Sequence, residues 1–365
     1  MPMNQTGISA GEGKRQVNMD LLRILACLMV IVQHTAANSY YAFGVGNGWL
    51  AANFFETVIR PDIPIFFMLS GCMFLNREKP VYLPKFLGKN TLRLFTVYLV
   101  WSIFYALDVG GYLHRSTFRW ESWNDFHAFL YQALSDSKYH LWFMPTMIAV
   151  YLIVPVLYQA VNSEGGKILE YLVVMFFVLT VLPQMLGVFL GADSIIVLAI
   201  GKFFFPLGGS YGYFALGAYL ARQDFRRYRK RYILLAYIAV SLAHFGVSSW
   251  HAYSAGYASE YMFDSNSIFV LLESSLLFIL FQSMADVNFP SWLGRLSREV
   301  AACTLGIYMI HILVLEKVGE RAGGLLLKNS YTALSVPVTV AAVFGISLVC
   351  VFIMRRIPFV RDWFV

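Results

Sequence analysis

Apolar residues along this chain come in unbroken runs and do not alternate with polar ones. Val150-Tyr151-Leu152-Ile153-Val154 and Tyr171-Leu172-Val173-Val174-Met175-Phe176-Phe177-Val178-Leu179 are examples. A helix needs roughly 20 residues to cross about 30 Å of hydrocarbon. A spanning β-strand would instead alternate over about ten residues. The pattern predicts ten helical spans, at 17–38, 53–75, 91–109, 139–161, 168–190, 194–220, 232–250, 267–285, 299–319 and 332–354. The expected fold is therefore an all-α integral membrane protein with about ten transmembrane helices. Residues 1–16 are polar and expected to be disordered. Residues 17–354 then form one transmembrane domain, and 355–365 a short tail. The longest connection, 110–138, holds no run able to span. With no soluble domain expected at either end, the chemistry has to come from helices and short loops.

Composition reinforces this reading: 58% of the residues are hydrophobic and only 13% charged, against about 25% charged in a soluble domain. The net charge of +7 does not imply a nucleic-acid partner, because the cations sit in short connections where topology explains them. With the N-terminus inside, the inner segments carry Lys14, Arg15, Arg77, Lys79, Lys85, Lys89, Lys167, the Arg222–Arg231 cluster, Arg295, Arg298, Arg355, Arg356 and Arg361. The outer segments carry only Arg115, Arg119, Lys138, Arg321 and Lys328. Both termini are expected to be cytoplasmic. Lys14, Arg15, the apolar core Ile24–Val32 and Thr35-Ala36-Ala37 also have the outline of a cleavable signal peptide. Asp20 and Arg23 intrude on that core, and retention as the first span is the better reading. Cys27, Cys72, Cys303 and Cys350 all lie in apolar runs, without metal-ligand spacing, and read as small buried hydrophobes. No metal is expected.

An ionisable group inside a span costs about 2.5–3.5 kcal/mol on insertion scales, so each asks for a reason. The first span holds Asp20, Arg23 and His34. Eleven residues at about 100° each put Arg23 and His34 on one helix face, about 16 Å apart along the axis. Arg23 lies near the inner interface and His34 much deeper. The bland alternatives are an arginine that snorkels and pairs with Asp20, and a histidine satisfied by a neighbouring helix. In the second span, Arg60-Pro61-Asp62-Ile63-Pro64 is expected to break the helix and open a cavity facing His34, with a simple Arg60–Asp62 pair as the alternative. Further along, Ser70-Gly71 would let another helix approach closely. Lys202 and Glu273 are possible partners, and His311 lies at a depth similar to His34. His140 and Trp142 read as interfacial belt residues, and His244 as structural, with no evident companion.

These residues carry a resemblance. Asp20-Leu21-Leu22-Arg23-Ile24-Leu25-Ala26-Cys27 followed by His34 resembles the first-helix signature of the acyltransferase-3 family, an arginine and a histidine with ten residues between them. Ile63-Pro64-Ile65-Phe66-Phe67-Met68-Leu69-Ser70-Gly71 is similar to that family's second-helix motif. His140-Leu141-Trp142-Phe143-Met144 and Leu305-Gly306-Ile307-Tyr308-Met309-Ile310-His311 resemble two more. Many members carry two arginines three apart at the start of the third span. Here Asn90 stands where the first would be, before Arg93, with Lys89 as a substitute charge.

The resemblance implies a stand-alone membrane O-acyltransferase of the bacterial inner membrane, acting on surface polysaccharides or their lipid-linked precursors. No bound cofactor is implied. The co-substrate would be cytosolic acetyl-CoA or another short acyl-CoA, and the acceptor a sugar hydroxyl. Arg23, Lys85, Lys89 and Arg93 would meet the donor's phosphates. His34 would act with Arg23, either as general base or as a transient acyl carrier. Arg60, Asp62, Ser70 and His311 would support the transition state or the acceptor. The rival reading is a transporter or flippase for a glycan or lipid-linked sugar, since broken helices and buried charges also suit alternating access.

Overall fold

The computed structural model describes residues 16–42, 44–109, 123–135, 138–163, 166–190, 209–258, 260–321 and 332–365. They are helical throughout, with no strand among them. Eight stretches of the described residues are long and apolar enough to cross a membrane. A ninth is a bent pair, Ser291–Ala301 and Thr304–Glu320, meeting at 61°. The expected sixth span, 194–220, lies largely outside the described residues; its visible part is the helix Ser210–Ala221.

In chain order the first helices are α1 (Val17–Ala42), α2 (Asn47–Val58) and α3 (Asp62–Leu75). A short turn of helix (Leu83–Phe86) and a π-helical segment (Leu87–Thr91) lead into α4 (Leu92–Val109). Then come α5 (Trp123–Ser135), α6 (Phe143–Ser163), α7 (Lys167–Phe176) and α8 (Leu182–Leu190). The remainder are α9 (Ser210–Ala221), α10 (Lys230–Ala255), α11 (Ile268–Gln282), α12 (Ser291–Ala301), α13 (Thr304–Arg321), α14 (Thr332–Met354) and α15 (Pro358–Trp363).

Polar ties at the helix ends sort the spans into an up-and-down order. At one end, Asn18 donates to the Phe281 carbonyl (2.9 Å), Asn76 to Ala218 (2.9 Å), Gln282 to Gln223 (3.1 Å) and the Tyr158 hydroxyl to Arg77 (3.1 Å). Arg222 joins there through Nε to Asn76 Oδ1 (2.9 Å). At the other end, Lys138 pairs with Glu316 (2.8 Å), Asn53 donates to Ser249 (2.9 Å) and the Tyr41 hydroxyl donates to Glu260. The start of α1 and the ends of α3, α6, α9 and α11 thus share one end of the bundle, here termed the Arg23 end. This is the alternation that the loop charges predict.

The prolines of the second span act as expected. The helix stops at Val58 and resumes at Asp62, with Pro61 as the N-cap residue of α3. The freed Ile63 amide is taken by Asp62 Oδ1 (2.7 Å). α1 packs against α2, α3, α11, α12, α13 and α14, so a side chain on its surface meets most of the bundle.

The Ser70-Gly71 step receives α9 backbone to backbone. A Cβ on Gly71 would lie 1.8 Å from the Phe214 carbonyl oxygen, and one on Gly217 would lie 2.1 Å from that of Met68. Small residues matter here because lipid is as apolar as leucine, so close packing itself has to hold helices together. Gly217→Val is expected to destabilise the bundle by at least the 1–3 kcal/mol typical of overpacking, roughly. Thermal unfolding in detergent checks this, and an unchanged midpoint would mean that the two helices can part freely.

In the connection 110–138 the described helix α5 has only 13 residues, too short to span, which agrees with the expectation for that stretch. The tail 355–365 folds back on the bundle: Trp101 Nε1 donates to the Phe364 carbonyl (2.8 Å), and Val365 is buried. Both follow from aromatic and aliphatic side chains, in stretches too short to span, finding an apolar surface.

Candidate active site

One helix face of α1 carries the two residues singled out from the sequence, and the structure gives each a distinct setting. Arg23 lies on the wall of a cavity of about 710 Å³, together with Ser70, Lys89, Asn90 and Arg93. That volume falls within the usual range of ligand pockets, about 300–1,000 Å³. Arg355 and Arg361 stand on the same wall, and among the described residues no aspartate or glutamate lines it. The rest is mainly apolar or aromatic, with Leu69, Met73, Phe74, Met144, Met147 and Tyr151 among it. Ser70 and Tyr151 face each other, hydroxyl to hydroxyl, at 3.4 Å. The cavity therefore combines several cations with a mainly apolar interior and the hydroxyls of Ser70, Tyr151, Thr304 and Tyr308.

His34 is not on that wall. It lies one layer away, in a cluster of three histidines drawn from three spans. Ring centroids are 5.3 Å apart for His34–His311, 5.2 Å for His140–His311 and 6.4 Å for His34–His140. Tyr308 is the link. It lines the cavity and packs against both His140 and His311, each at 5.7 Å. Its hydroxyl donates to the His140 carbonyl oxygen, so it is held in place. Phe143 stacks edge-on against Tyr308 at 5.4 Å and also lines the cavity.

His311 Nδ1 bonds the Tyr308 carbonyl (2.7 Å), leaving Nε2 without a hydrogen-bond partner. Neither nitrogen of His140 makes a hydrogen bond of good geometry, although the residue is almost fully buried. Buried polar atoms are normally satisfied, and unsatisfied ones concentrate where function needs them. Among the described residues, no three His, Cys, Asp or Glu side chains are arranged to hold a metal ion.

The structure departs from the residue-level expectations in several places. His140 is not a belt residue. The 3-10 turn Tyr139–Trp142 leaves Tyr139 and Trp142 exposed and turns His140 inward against Tyr105 and His311. The signal that could have found it is its place in the fourth-span motif. Arg60 and Asp62 do not pair directly. Arg60 bonds the Glu56 carboxylate one turn back and lies over the Phe263 ring, 4.3 Å from its centroid. Gln33 bridges the two, donating to Asp62 Oδ2 (2.8 Å) and accepting from Arg60 (3.1 Å). Neither residue lines the cavity, but Gln33 precedes His34, so the pair braces the helix where that histidine sits. Lys85 is exposed and also off the cavity wall.

His244 has a companion after all. Its Nδ1 lies 3.3 Å from both Glu273 carboxylate oxygens, and both side chains are wholly buried. Glu273 thus takes His244 as its partner, and Lys202 lies outside the described residues.

A family model described as an acyltransferase domain matches residues 16–356. The chain belongs to the acyltransferase-3 family. No curated protein and no solved structure matched it. As a member it is a membrane acyltransferase, built from many spans. The family match takes in α1 to α14, so the cavity and the histidine cluster both belong to the acyltransferase domain. Of the residues that line the cavity, only Arg361 lies beyond its limit.

Proposed function

We propose that this acyltransferase moves an acetyl or other short acyl group from acyl-CoA to a sugar hydroxyl of a surface polysaccharide or lipid-linked glycan precursor. The site is placed in the bacterial inner membrane, with the Arg23 end facing the cytoplasm as the loop charges require. One observation carries the reading: a cavity with several cations on its wall ends at Tyr308, directly against the histidine cluster.

A CoA thioester is an apolar acyl group and a long arm attached to a phosphorylated nucleotide. Arg23, Lys89 and Arg93 meet its phosphates, with Lys85 on the approach. The arm runs past Leu69 and Met147 toward Ser70 and Tyr151. Those two hydroxyls are the donors best placed for the thioester oxygen as it gains charge. For the carbonyl carbon to reach His34, Tyr308 has to release the His140 carbonyl and swing aside with Phe143. The acceptor hydroxyl attacks that carbon and gives its proton to His34. The tetrahedral intermediate then collapses with loss of the CoA thiolate, which takes up a proton. In the two-step variant, a His34 nitrogen attacks first and passes the acyl group on to the hydroxyl. His311 and His140 set the orientation of the His34 ring. Arg60, Asp62 and Gln33 fix its backbone.

The test uses purified protein in liposomes with labelled acetyl-CoA and glycan or glycolipid acceptors. Turnover is expected in the wild type, with Arg23→Ala raising KM for the donor at least about ten-fold through loss of a charge-assisted contact. Folded wild type that neither binds nor consumes any short acyl-CoA would overturn the reading and return the transporter to first place.

A further inference from the structure

The loop between α9 and α10, with the first turn of α10, gathers basic and aromatic residues away from the candidate active site. Arg226, Arg227, Tyr228, Arg229, Lys230 and Arg231 line a shallow, open hollow at the Arg23 end of the bundle, and all six are exposed. The ion pairs of this stretch belong to Arg226, with Asp224 (2.9 Å) and Asp286 (3.5 Å). Hydrogen bonds to Arg226 hold the Asp224 carboxyl below the usual carboxylate range, so that pair stays charged at neutral pH. Arg227 and Arg231 are held differently, each by the tyrosine that follows it. The Arg227 guanidinium lies over the Tyr228 ring, 5.0 Å from its centroid, and its Nη2 donates to the Tyr228 hydroxyl (3.1 Å). Arg231 repeats the arrangement on Tyr232, at 4.9 Å and 3.2 Å.

A tyrosine, unlike a carboxylate, fixes a guanidinium without cancelling its charge, and it leaves most of the five N–H donors for another group. Next to the hollow, α10 presents an apolar face. Arg231, Leu235, Ile238 and Leu242 recur at helical spacing on one side of the helix and are all exposed. Ser241, His244 and Ser248 are buried on the other side. From Arg231 to Leu242 the face runs about 16 Å along the axis, close to half of a hydrocarbon core about 30 Å thick. Braced cations at the head of an apolar stripe one leaflet long fit an amphiphile: a phospholipid whose headgroup is anionic. The positive-inside bias accounts for the number of cations in the loop, but it is indifferent to the rings that hold them and to the stripe beneath. A soluble anion would have no use for that stripe.

We infer that the α9–α10 loop and the outward face of α10 bind an anionic phospholipid of the leaflet at the Arg23 end. Arg227 and Arg231 take the headgroup phosphate, and Leu235, Ile238 and Leu242 lie along an acyl chain. The site shares no residue with the cavity or the histidine cluster, and it depends on neither the donor nor the acceptor reading.

The experiment titrates phosphatidylglycerol and phosphatidylcholine with identical acyl chains into full-length protein in neutral detergent, and counts retained lipid by native mass spectrometry. Wild type is expected to bind the first phosphatidylglycerol at least about ten-fold more tightly than phosphatidylcholine, since each Lys or Arg at an anionic surface contributes roughly five-fold. Arg227→Gln with Arg231→Gln should remove most of that preference. Arg298→Gln, which takes a cation from α12, should keep it. The loop cations also help to orient the spans, so a second pair, Arg227→Lys with Arg231→Lys, keeps the charge and removes only the planar fork. About a three-fold loss of preference is expected there. Glycerophosphoglycerol, the headgroup without chains, should compete on the order of a hundred-fold more weakly than the lipid. Equal binding of the two lipids by wild type, or a preference that survives in both double variants, overturns the inference. Competition by the soluble headgroup as strong as by the lipid would overturn the part given to the α10 face.

Discussion

His34→Ala is expected to abolish acyl transfer while leaving the protein folded and the donor bound. General-base catalysis contributes roughly 10²–10⁴-fold, and loss of a nucleophilic carrier would cost at least as much. Donor affinity should be nearly unchanged, because Arg23, Lys89 and Arg93 lie on the cavity wall and His34 does not. The fold should also persist. His34 is only half-buried, and its contacts with Tyr139 and His311 are ring contacts that other side chains surround. The measurement is label transfer from acetyl-CoA to acceptor, beside a CoA-binding titration on the same preparation. Transfer within about three-fold of wild type would remove His34 from the chemistry and move the search to His311 and His140. Trapping acyl label on wild-type protein in the absence of acceptor would separate the carrier route from the general base.

The second large effect concerns stability and lies away from the site. His244 Nδ1 faces a carboxylate, and its Nε2 faces the Met262 carbonyl at 3.1 Å. Both neighbours accept hydrogen bonds, so the ring and Glu273 share one proton on the Nδ1 side while Nε2 donates to the carbonyl. The pair is neutral as a unit wherever that proton sits, which is what permits it in an apolar interior. His244→Ala leaves Glu273 with no such partner, and an uncompensated buried charge costs about 3–5 kcal/mol. The ring's stacking on Phe269, at 4.9 Å, is lost as well. Thermal unfolding in detergent should show a large drop for His244→Ala. The double variant His244→Leu with Glu273→Leu should recover much of it, since a buried pair is often replaceable by apolar groups of similar volume. A double variant no better than the single one would mean that packing, and not the pair, holds α10 to α11.

Much of this architecture was legible from periodicity alone. The spans 17–38 and 332–354 reappear as Val17–Ala42 and Thr332–Met354. The break between Val58 and Asp62 falls at Pro61, while Pro64 lies in the first turn of the helix that follows. These agreements share a cause. In lipid, the length of an apolar run and the position of a proline act through the backbone, which must satisfy its own hydrogen bonds within each segment. The close approach at Gly71 was also visible, because absence of a side chain is a property of the residue itself. Its partner, α9, was not.

The sequence by itself determined that the chain forms a helical membrane bundle, that its spans alternate, and that Arg23 and His34 lie on one face of the first helix. Helix geometry and loop charge act locally, so one chain suffices to read them. The tertiary structure decided which side chains from different spans meet. It turned His140 inward to join His34 and His311, gave Arg60 to Glu56 and not to Asp62, paired His244 with Glu273, and laid the tail across the cavity. Each of these depends on how neighbouring helices are rotated against one another. In a bilayer that rotation is set by close packing and by polar contacts between spans. An apolar run looks alike from every side, and its sequence alone does not say which neighbour each face will find.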